Sequence, residues 1–188
     1  MPKIVDREEY RCELLRTSFK IAVEVGYGSI SMKQLAQNLE ISTGSIYHYF
    51  KSKEDWFMSL VAYYSKETLS MLDQEIPADT NLSDKITLTA AHIEKHKEFY
   101  ADMVNLIADF FRMRKINRQG EPLELNSVAD QTRHHIATLF GVKEATAIAL
   151  LSYFVGIIMA NRLIPRGVNA VEQVPYMCLL LEIPKFQP

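Results

Sequence analysis

S-M-K-Q-L-A-Q-N-L-E-I-S-T-G-S-I-Y-H-Y-F-K-S-K, residues 31–53, carries three helix start signals in close succession. Ser31 followed by Gln34 is a capping-box pattern, in which each side chain satisfies a free backbone N–H group of the first helical turn. Two further pairs repeat this pattern, Ser42 with Ser45 and Ser52 with Asp55. Three separate helices are therefore predicted to begin within this stretch or at its end.

The first two of these helices are predicted to be short, over Met32–Asn38 and Thr43–Tyr49, with a tight turn between them. Apolar residues recur at helical spacing on both sides of that turn. Two helices joined in this way form a helix-turn-helix, and the second helix of the motif lies in the major groove of DNA. A buried helical corner that needs small residues for packing is the alternative interpretation.

The predicted second helix has an unusual composition for a surface helix. It offers hydroxyl groups and an imidazole rather than long charged side chains, at Thr43, Ser45, Tyr47, His48 and Tyr49. Gly44 near the helix start costs about 1 kcal/mol relative to alanine. Close approach of the backbone to a phosphate or a base edge would explain that glycine, because the amino-terminal end of a helix attracts anions.

This segment resembles the DNA-binding segment of TetR-family transcriptional regulators, and the resemblance covers roughly residues 8–57. The residues that carry it are Gly26, Tyr27, Ser31, Leu35, Ala36, Ile41, Ser42, Gly44, Ile46, Tyr47, Tyr49, Phe50, Lys53 and Glu54. One departure is Tyr49, where histidine is common in the family. The resemblance implies a small DNA-binding domain at the amino terminus, and it does not indicate which ligand the protein binds because such families diverge beyond residue 57.

The expected DNA contacts follow from the motif and from the resemblance. Base contacts are predicted for Thr43, Ser45, Tyr47 and His48, and phosphate contacts for Lys33, Tyr49 and Lys53. Ser31, Ser42 and Gly44 are also predicted to contact DNA. Lys53 is poorly placed for the dipole of the helix that it begins, and a phosphate contact would explain its position. Arg7 or Arg11 could also reach a phosphate, with solvated surface charge as the alternative.

Charge limits how such a protein can bind DNA. The 188 residues have a formal net charge of −2, with 48% hydrophobic and 23% charged residues. Residues 1–55 contain eight basic and eight acidic side chains, so that segment is neutral. Within residues 31–53, three lysines against Glu40 leave a charge of +2 (3 − 1). Attraction to DNA must therefore be local, and bulk charge cannot supply it.

The whole chain is predicted to be all-α, with about nine helices. A three-helix helix-turn-helix domain is expected at 1–53 and a helical ligand-binding and dimerisation domain at 54–188. The longer helices are predicted at Asp6–Val25, Lys53–Glu75, Asn81 or Ser83 to Lys97, Glu98–Lys115, from the Gly120–Pro122 break to Phe140, and Asn169–Glu182. The sequence shows no export signal, so we expect a cytoplasmic protein.

The segment Ala145–Ala160 has 13 apolar residues in 16 and no charge. A membrane helix is one interpretation, but spanning a bilayer takes about 20 apolar residues, and Glu144 and Arg162 lie too close. A helix buried on every side, partly by a second subunit, fits better. The resemblance implies that the last two long helices form the dimer interface, which we predict at Ala149, Ser152, Gly156, Ala160, Val174 and Cys178.

The resemblance also implies a cavity for a small-molecule effector in the carboxy-terminal domain. We predict Met103, Phe110, Phe111, His135 and Phe154 as its lining, with ordinary core packing as the alternative for each. His92 and His96 lie four residues apart and could bind a metal, but no third ligand is evident and a solvated pair is preferred. Cys12 and Cys178 are interpreted as ordinary thiols, with a redox sensor as the alternative.

Together these observations predict a repressor that binds a palindromic operator as a homodimer and that a small molecule releases. A DNA-binding protein whose carboxy-terminal half only dimerises or recruits another protein is the alternative. A small helical enzyme is disfavoured because we find no nucleophile motif, metal-ligand set or phosphate-binding loop. No metal and no cofactor are predicted.

Overall fold

The computed structural model describes residues 6–116, 123–164 and 166–181. Within these ranges the chain forms nine α-helices: α1 Arg7–Val25, α2 Met32–Asn38, α3 Thr43–Tyr49, α4 Lys53–Glu75, α5 Leu82–Lys95, α6 Lys97–Ile116, α7 Leu123–Phe140, α8 Glu144–Leu163 and α9 Ala170–Leu180. The predicted all-α fold is confirmed, and so are both helices of the helix-turn-helix. The predicted break at Gly120–Pro122 lies outside the described residues.

Helix ends follow the capping chemistry that the sequence predicts. The Asp6 side chain accepts a hydrogen bond from the Glu8 backbone N–H group at 2.9 Å, at the start of α1. Gly26 ends that helix with φ of 82°, a left-handed conformation that glycine adopts without a steric penalty. Asn81 rather than Ser83 caps α5, because its side chain accepts from the Asp84 N–H group at 3.0 Å.

The helices group into two compact units. Unit 1 contains residues 1–65 and 105–125, and unit 2 contains 66–104 and 126–188. Helices α4 and α6 each contribute residues to both units. The domain boundary that the sequence predicts between residues 53 and 54 is a different division, and it remains a prediction.

The core of unit 1 is rich in aromatic side chains. Trp56, Phe57, Phe50 and Phe110 are all fully buried. The Trp56 indole N–H group donates to the Ser18 hydroxyl at 3.0 Å, which satisfies both buried polar groups. Along α4, Trp56 is fully buried whereas Met71 is exposed.

In unit 2, α5 and α9 pack together around a core that includes Ile86, Ala90 and Met177. A hydrogen bond also links α5 to the first residue of α9, because the Glu94 carboxylate accepts from the Ala170 backbone N–H group at 3.1 Å. Lys85 is buried, and its amine donates to the Leu139 carbonyl oxygen at 2.7 Å near the end of α7. This bond satisfies a carbonyl group that α7 leaves free.

The prediction of a solvated His92/His96 pair was wrong. His92 is only 4% exposed, and its Nδ1 lies 2.6 Å from Glu75 Oε2 at the end of α4. The His96 ring stands 4.7 Å from the His92 ring, measured between centroids. Burial, followed by the nearby charges of His92 and Lys95, lowers the pKa of His96. Helical periodicity alone could not reveal that a carboxylate 17 positions away would face His92.

Helix α8 is long and apolar enough to span a membrane by length and composition. In this structure one of its faces, which includes Leu150, Phe154 and Ile157, is buried in the core of unit 2. The opposite face is exposed in the single chain, at Ile148 and Val155 among others. The helix is therefore not buried on every side by its own chain.

Candidate nucleic-acid interface

The amino-terminal end of α2 is fixed by the predicted capping box. The Gln34 backbone N–H group donates to the Ser31 hydroxyl at 3.2 Å, and the Ser31 N–H group donates to Gln34 Oε1 at 2.9 Å. Two backbone donors are thus satisfied reciprocally, a geometry that sets where α2 begins. Lys33 lies exposed in the first turn of this helix.

The start of α3 is fixed in a similar way. The Ser45 N–H group donates to the Ser42 hydroxyl at 3.0 Å, and the two hydroxyl oxygens are 2.8 Å apart. Both side chains are therefore engaged with each other in the free chain, although both are exposed. Thr43 and Gly44 lie beside them at the exposed helix start. The tight turn before α3 contains Glu40 with φ of 56°.

Helix α3 and the residue after it pack against the core through two side chains. Ile46 and Phe50 are fully buried, while Tyr47 and His48 face solvent. Tyr47 is 49% exposed, an unusual fraction for a large aromatic side chain. Six of the ten predicted DNA contacts therefore lie exposed on one short helix or at its cap, namely Ser42, Thr43, Gly44, Ser45, Tyr47 and His48. The fold brings them together as the motif predicts.

The carboxy-terminal end of α3 is held by α1. The Tyr49 ring packs on the Tyr10 ring with centroids 5.4 Å apart. Arg7 Nη2 donates to the His48 carbonyl oxygen at 3.3 Å, where a cation suits the negative end of the helix. Arg11 donates to the Ser59 hydroxyl at 2.6 Å. Both arginines therefore hold helices together in this structure, and neither is simply a solvated surface charge.

Lys53 differs from the other predicted contacts because its amine lies inside unit 1. Nζ stands 4.5 Å from the centroid of the Tyr27 ring and 3.4 Å from the Gly28 carbonyl oxygen. Burial lowers the pKa of Lys53, and the negative charge of Asp109 opposes that shift. The amine of Lys53 therefore already has two neighbours within unit 1, and its phosphate contact stays a prediction.

The turn between α1 and α2 is fastened to the last part of α6. Asp109 Oδ2 accepts from the Gly28 backbone N–H group at 2.7 Å, and the buried Tyr27 ring lies 5.1 Å from the Phe110 ring. Burial is the main cause that raises the pKa of Tyr27 to about 12. Arg114 of α6 also pairs with Glu54 at the start of α4.

These α6 contacts were missed by sequence reasoning. The partners Gly28 and Asp109 are 81 positions apart, a separation that no local pattern can bridge. The available signal was weak: Asp109 sits among apolar residues, directly before the buried Phe110.

The residues predicted to line an effector cavity fall in both units. Phe110 and Phe111 belong to unit 1, whereas Met103, His135 and Phe154 belong to unit 2. Phe154 is buried in the core of unit 2, and His135 Nε2 lies 2.9 Å from Asp73 Oδ1. The structure does not gather the five side chains within one unit, and their role as a lining stays a prediction.

The residues predicted for the dimer interface divide into two groups. Ala149, Ser152, Gly156 and Ala160 of α8 are exposed or half-buried in the single chain. Val174 and Cys178 of α9 are 6% and 1% exposed, and both belong to the core of unit 2. They are buried because this face of α9 packs on α5. The exposed large apolar side chains of α9 are Val171, Tyr176, Leu179 and Leu180.

No group of three or more His, Cys, Asp or Glu side chains in the described parts of the chain is arranged to hold a metal ion. Cys12 is partly buried and Cys178 is buried, both as free thiols.

Comparison with known proteins places the amino-terminal segment among bacterial regulators. Residues 14–59 match the family described as "Bacterial regulatory proteins, tetR family". The chain is 38% identical over 77 residues to the HTH-type transcriptional regulator HbdR of Aromatoleum sp. (strain CIB), and 31% identical over 90 residues to the HTH-type transcriptional regulator YuxN of Bacillus subtilis (strain 168). These alignments cover 40% and 46% of this chain, respectively. They span only 31% of the length of each relative.

The fold has counterparts among solved structures over nearly its full length. One is the crystal structure of the transcriptional regulator FadR from Bacillus subtilis in complex with stearoyl-CoA, with a TM-score of 0.66. The similarity covers 90% of this chain and 96% of that chain at 16% identity, so it concerns the fold alone. Through residues 14–59, the amino-terminal segment of the chain belongs to the tetR family of bacterial regulatory proteins.

Proposed function

We propose that this protein is a DNA-binding transcriptional regulator that reads its operator with α3. One observation carries the proposal: α3 is anchored by the buried Ile46, with Phe50 directly after it, and presents Thr43, Ser45, Tyr47 and His48 to solvent. Hydroxyl, phenol and imidazole groups can donate or accept hydrogen bonds at base edges in the major groove. A helix placed this way is the reading element of a helix-turn-helix.

Local charge supports this proposal and limits it. Lys33 and Lys51 are exposed near α3, whereas the amine of Lys53 is engaged inside unit 1. Few phosphate contacts are therefore available, and each contributes about 0.9 to the slope of log affinity against log salt concentration. We expect a shallow salt dependence and a specificity that depends strongly on α3.

We further propose that the protein acts as a homodimer on a palindromic operator. One seven-residue helix contacts only a few base pairs, so two half-sites are needed for sequence-specific binding. The exposed apolar residues of α8 and α9 supply a surface for the second copy, at Ile148, Val155, Val171, Tyr176, Leu179 and Leu180. Apolar patches of this kind are uncommon on monomeric proteins unless they bind something.

A small-molecule effector is the third part of the proposal, and repression relieved by that effector is the fourth. Support comes from the related fold of FadR, whose crystal structure contains stearoyl-CoA. Helix α4 runs without interruption from Lys53, next to α3, to Glu75 in unit 2. We propose that the effector tilts this helix and so changes the spacing of the two α3 helices.

Selection of bound duplexes from random-sequence DNA, followed by titration, tests the DNA-binding part. We expect recovery of a palindromic site. Tyr47→Ala should weaken binding to it by about 1–3 kcal/mol, and Lys33→Met should reduce the salt slope by about 1. Lys66→Met, which removes an exposed lysine of unit 2, is the matched control and should change neither quantity. Unchanged binding by both α2 and α3 variants would refute the assignment.

The effector part has a separate test. A thermal-shift series with acyl-CoA thioesters of increasing chain length, alongside unrelated metabolites, should raise the Tm with at least one compound. The same compound should release the selected duplex. A compound that raises the Tm without releasing DNA would argue against the proposed coupling. The absence of any shift would favour a regulator that works without an effector.

A further inference from the structure

The amine of Lys53 makes intramolecular contacts. It faces the Tyr27 ring and the Gly28 carbonyl oxygen, and the lysine is only partly exposed. A cation above an aromatic ring is attracted to the electron-rich face of that ring. Lys53, Tyr27 and Gly28 all belong to unit 1.

Gly28 links this lysine to a carboxylate on α6. Its carbonyl oxygen faces Lys53, while its N–H group donates to Asp109 Oδ2 at 2.7 Å. The packing here is close, because a methyl group on Gly28 would lie 3.1 Å from Met113 Sδ. Gly28 therefore bonds to the amine of Lys53 through its carbonyl oxygen and to the carboxylate of Asp109 through its N–H group.

Asp109 is held in its ionised form at this position. Burial by itself raises the pKa of Asp109, but hydrogen bonds from Gly28 and Arg112 and the positive charge of Lys53 together lower it. Asp109 Oδ1 lies 2.6 Å from Arg112 Nη2. The carboxylate is thus negative at neutral pH, and its charge acts on Lys53.

We propose that Asp109 is a positioning residue that withholds Lys53 from DNA. In the free protein the amine stays at the Tyr27–Gly28 turn, and a phosphate must compete with the field of Asp109 to draw it out. This inference rests on the proposed DNA-binding function and names a control of that same site by α6. A change in α6 that moves Asp109 from Gly28 would free one additional cation for the operator.

Asp109→Asn is the sharpest test because it removes the charge and keeps an oxygen for the Gly28 N–H group. We expect roughly twofold to fivefold tighter binding to the selected duplex, the range of a surface ion pair. The salt slope should steepen by about 0.9, since one more phosphate is contacted. In a Lys53→Met background the same substitution should leave the slope unchanged.

Asp79→Asn controls for the general effect of losing one negative charge, because Asp79 is an exposed residue of unit 2. Asp79→Asn should change the affinity for the selected duplex only slightly, and by the same amount in the wild-type and Lys53→Met backgrounds. The proposal is overturned if Asp109→Asn weakens binding, or if its effect on affinity and slope is the same in both backgrounds. Either outcome would reduce Asp109 to a purely structural anchor of the turn.

A second measurement needs no DNA and separates this inference from the proposed function. Tm values of the wild type, Asp109→Asn, Lys53→Met and the double variant form a thermodynamic cycle. We expect Asp109→Asn to lower the Tm in the presence of Lys53 and to lower it less in its absence. Equal Tm losses would overturn the Asp109–Lys53 link even if the wild type binds DNA. Failure of the wild type to bind any duplex would instead refute the proposed function and leave the link intact.

Discussion

Gly44 on α3 and Gly156 on α8 are both exposed glycines inside helices, and they can be compared directly. A methyl group added to Gly44 would meet only Ser42 Oγ, at 3.7 Å, and one added to Gly156 would meet nothing within 4 Å. Each glycine costs its helix about 1 kcal/mol relative to alanine. The residues that the structure describes give no steric reason for either glycine.

The neighbours of the two glycines differ in chemistry. Gly44 lies among hydroxyl groups at a capped helix start, while Gly156 lies beside the exposed Val155 on an apolar helix. The first setting suits the close approach of a polar, negatively charged partner, and the second suits another helix. Under the functions proposed above, the two glycines serve different partners, DNA at Gly44 and a second subunit at Gly156.

The largest effect should come from a charge placed on the apolar face. Leu179 is 71% exposed in the single chain, and in a dimer Leu179→Glu would bury an unpaired carboxylate. We expect dimerisation to weaken by about 3 kcal/mol or more, over a hundredfold, in sedimentation experiments. Leu88→Glu alters an exposed leucine of α5 and serves as the control. If the two variants dimerise equally well, the exposed face of α9 is not part of the dimer interface.

Gly44→Ala should change stability and DNA binding in opposite directions. The free energy of unfolding should rise by up to about 1 kcal/mol because alanine is the better helix former. Affinity for the selected duplex should fall by about 1–3 kcal/mol if the backbone of α3 approaches DNA closely. Chemical denaturation and a binding titration measure the two quantities on one preparation. Unchanged affinity would mean that α3 does not lie as close to DNA as we propose.

Gly156→Ala is the corresponding test of the second face, with a smaller expected effect. The extra methyl group should weaken dimerisation by about 1 kcal/mol, the lower end for overpacking a close contact. Binding of a single operator half-site should stay the same. Tighter dimerisation would show that the face has room for a side chain and that helix propensity dominates.

Removal of the α2 cap should lower the stability of the helix-turn-helix. Ser31→Ala eliminates the acceptor for the Gln34 N–H group and should lower the free energy of unfolding by about 1 kcal/mol. Ser29→Ala, at an exposed serine two positions earlier, is the matched control. Dimerisation should not change in either variant. A loss in Ser29→Ala as large as that in Ser31→Ala would contradict the capping argument.

The smallest effect concerns pH and the end of α4. The hydrogen bond with His92 is the main cause that lowers the pKa of Glu75 below its ordinary value of 4.5. Its stabilising contribution is therefore complete above pH 4.5 and lost as the pH falls through the lowered value. Glu75→Gln should cost at most about 1 kcal/mol at pH 7, since the side chain is well exposed.

Denaturant unfolding of the wild type and Glu75→Gln between pH 3 and pH 7 measures this difference. Glu67→Gln, at an exposed glutamate on the same helix, is the control. A difference that grows as the pH falls below 4.5 would reverse the sign that we derive for Glu75.

The two faces also show what the sequence could and could not predict. Both helices of the helix-turn-helix match their predicted bounds because capping serines and apolar spacing act over three or four residues. The contacts of α6 were not predictable, since Gly28 and Asp109 meet across 81 positions. On α9, periodicity identified an apolar helix but could not say which side packs on α5, so Val174 and Cys178 were placed on the interface instead of in the core.

Amide hydrogen exchange, with and without the selected duplex, shows whether α3 is the helix that contacts DNA. We expect DNA to slow exchange over residues 42–49, the cap and body of α3, and to leave residues 171–180 of α9 unchanged. Both segments are read in one experiment, so each controls for the other. Protection confined to α9, or the absence of any change over residues 42–49 in a protein that binds the duplex, would contradict the assignment of α3 as the reading helix.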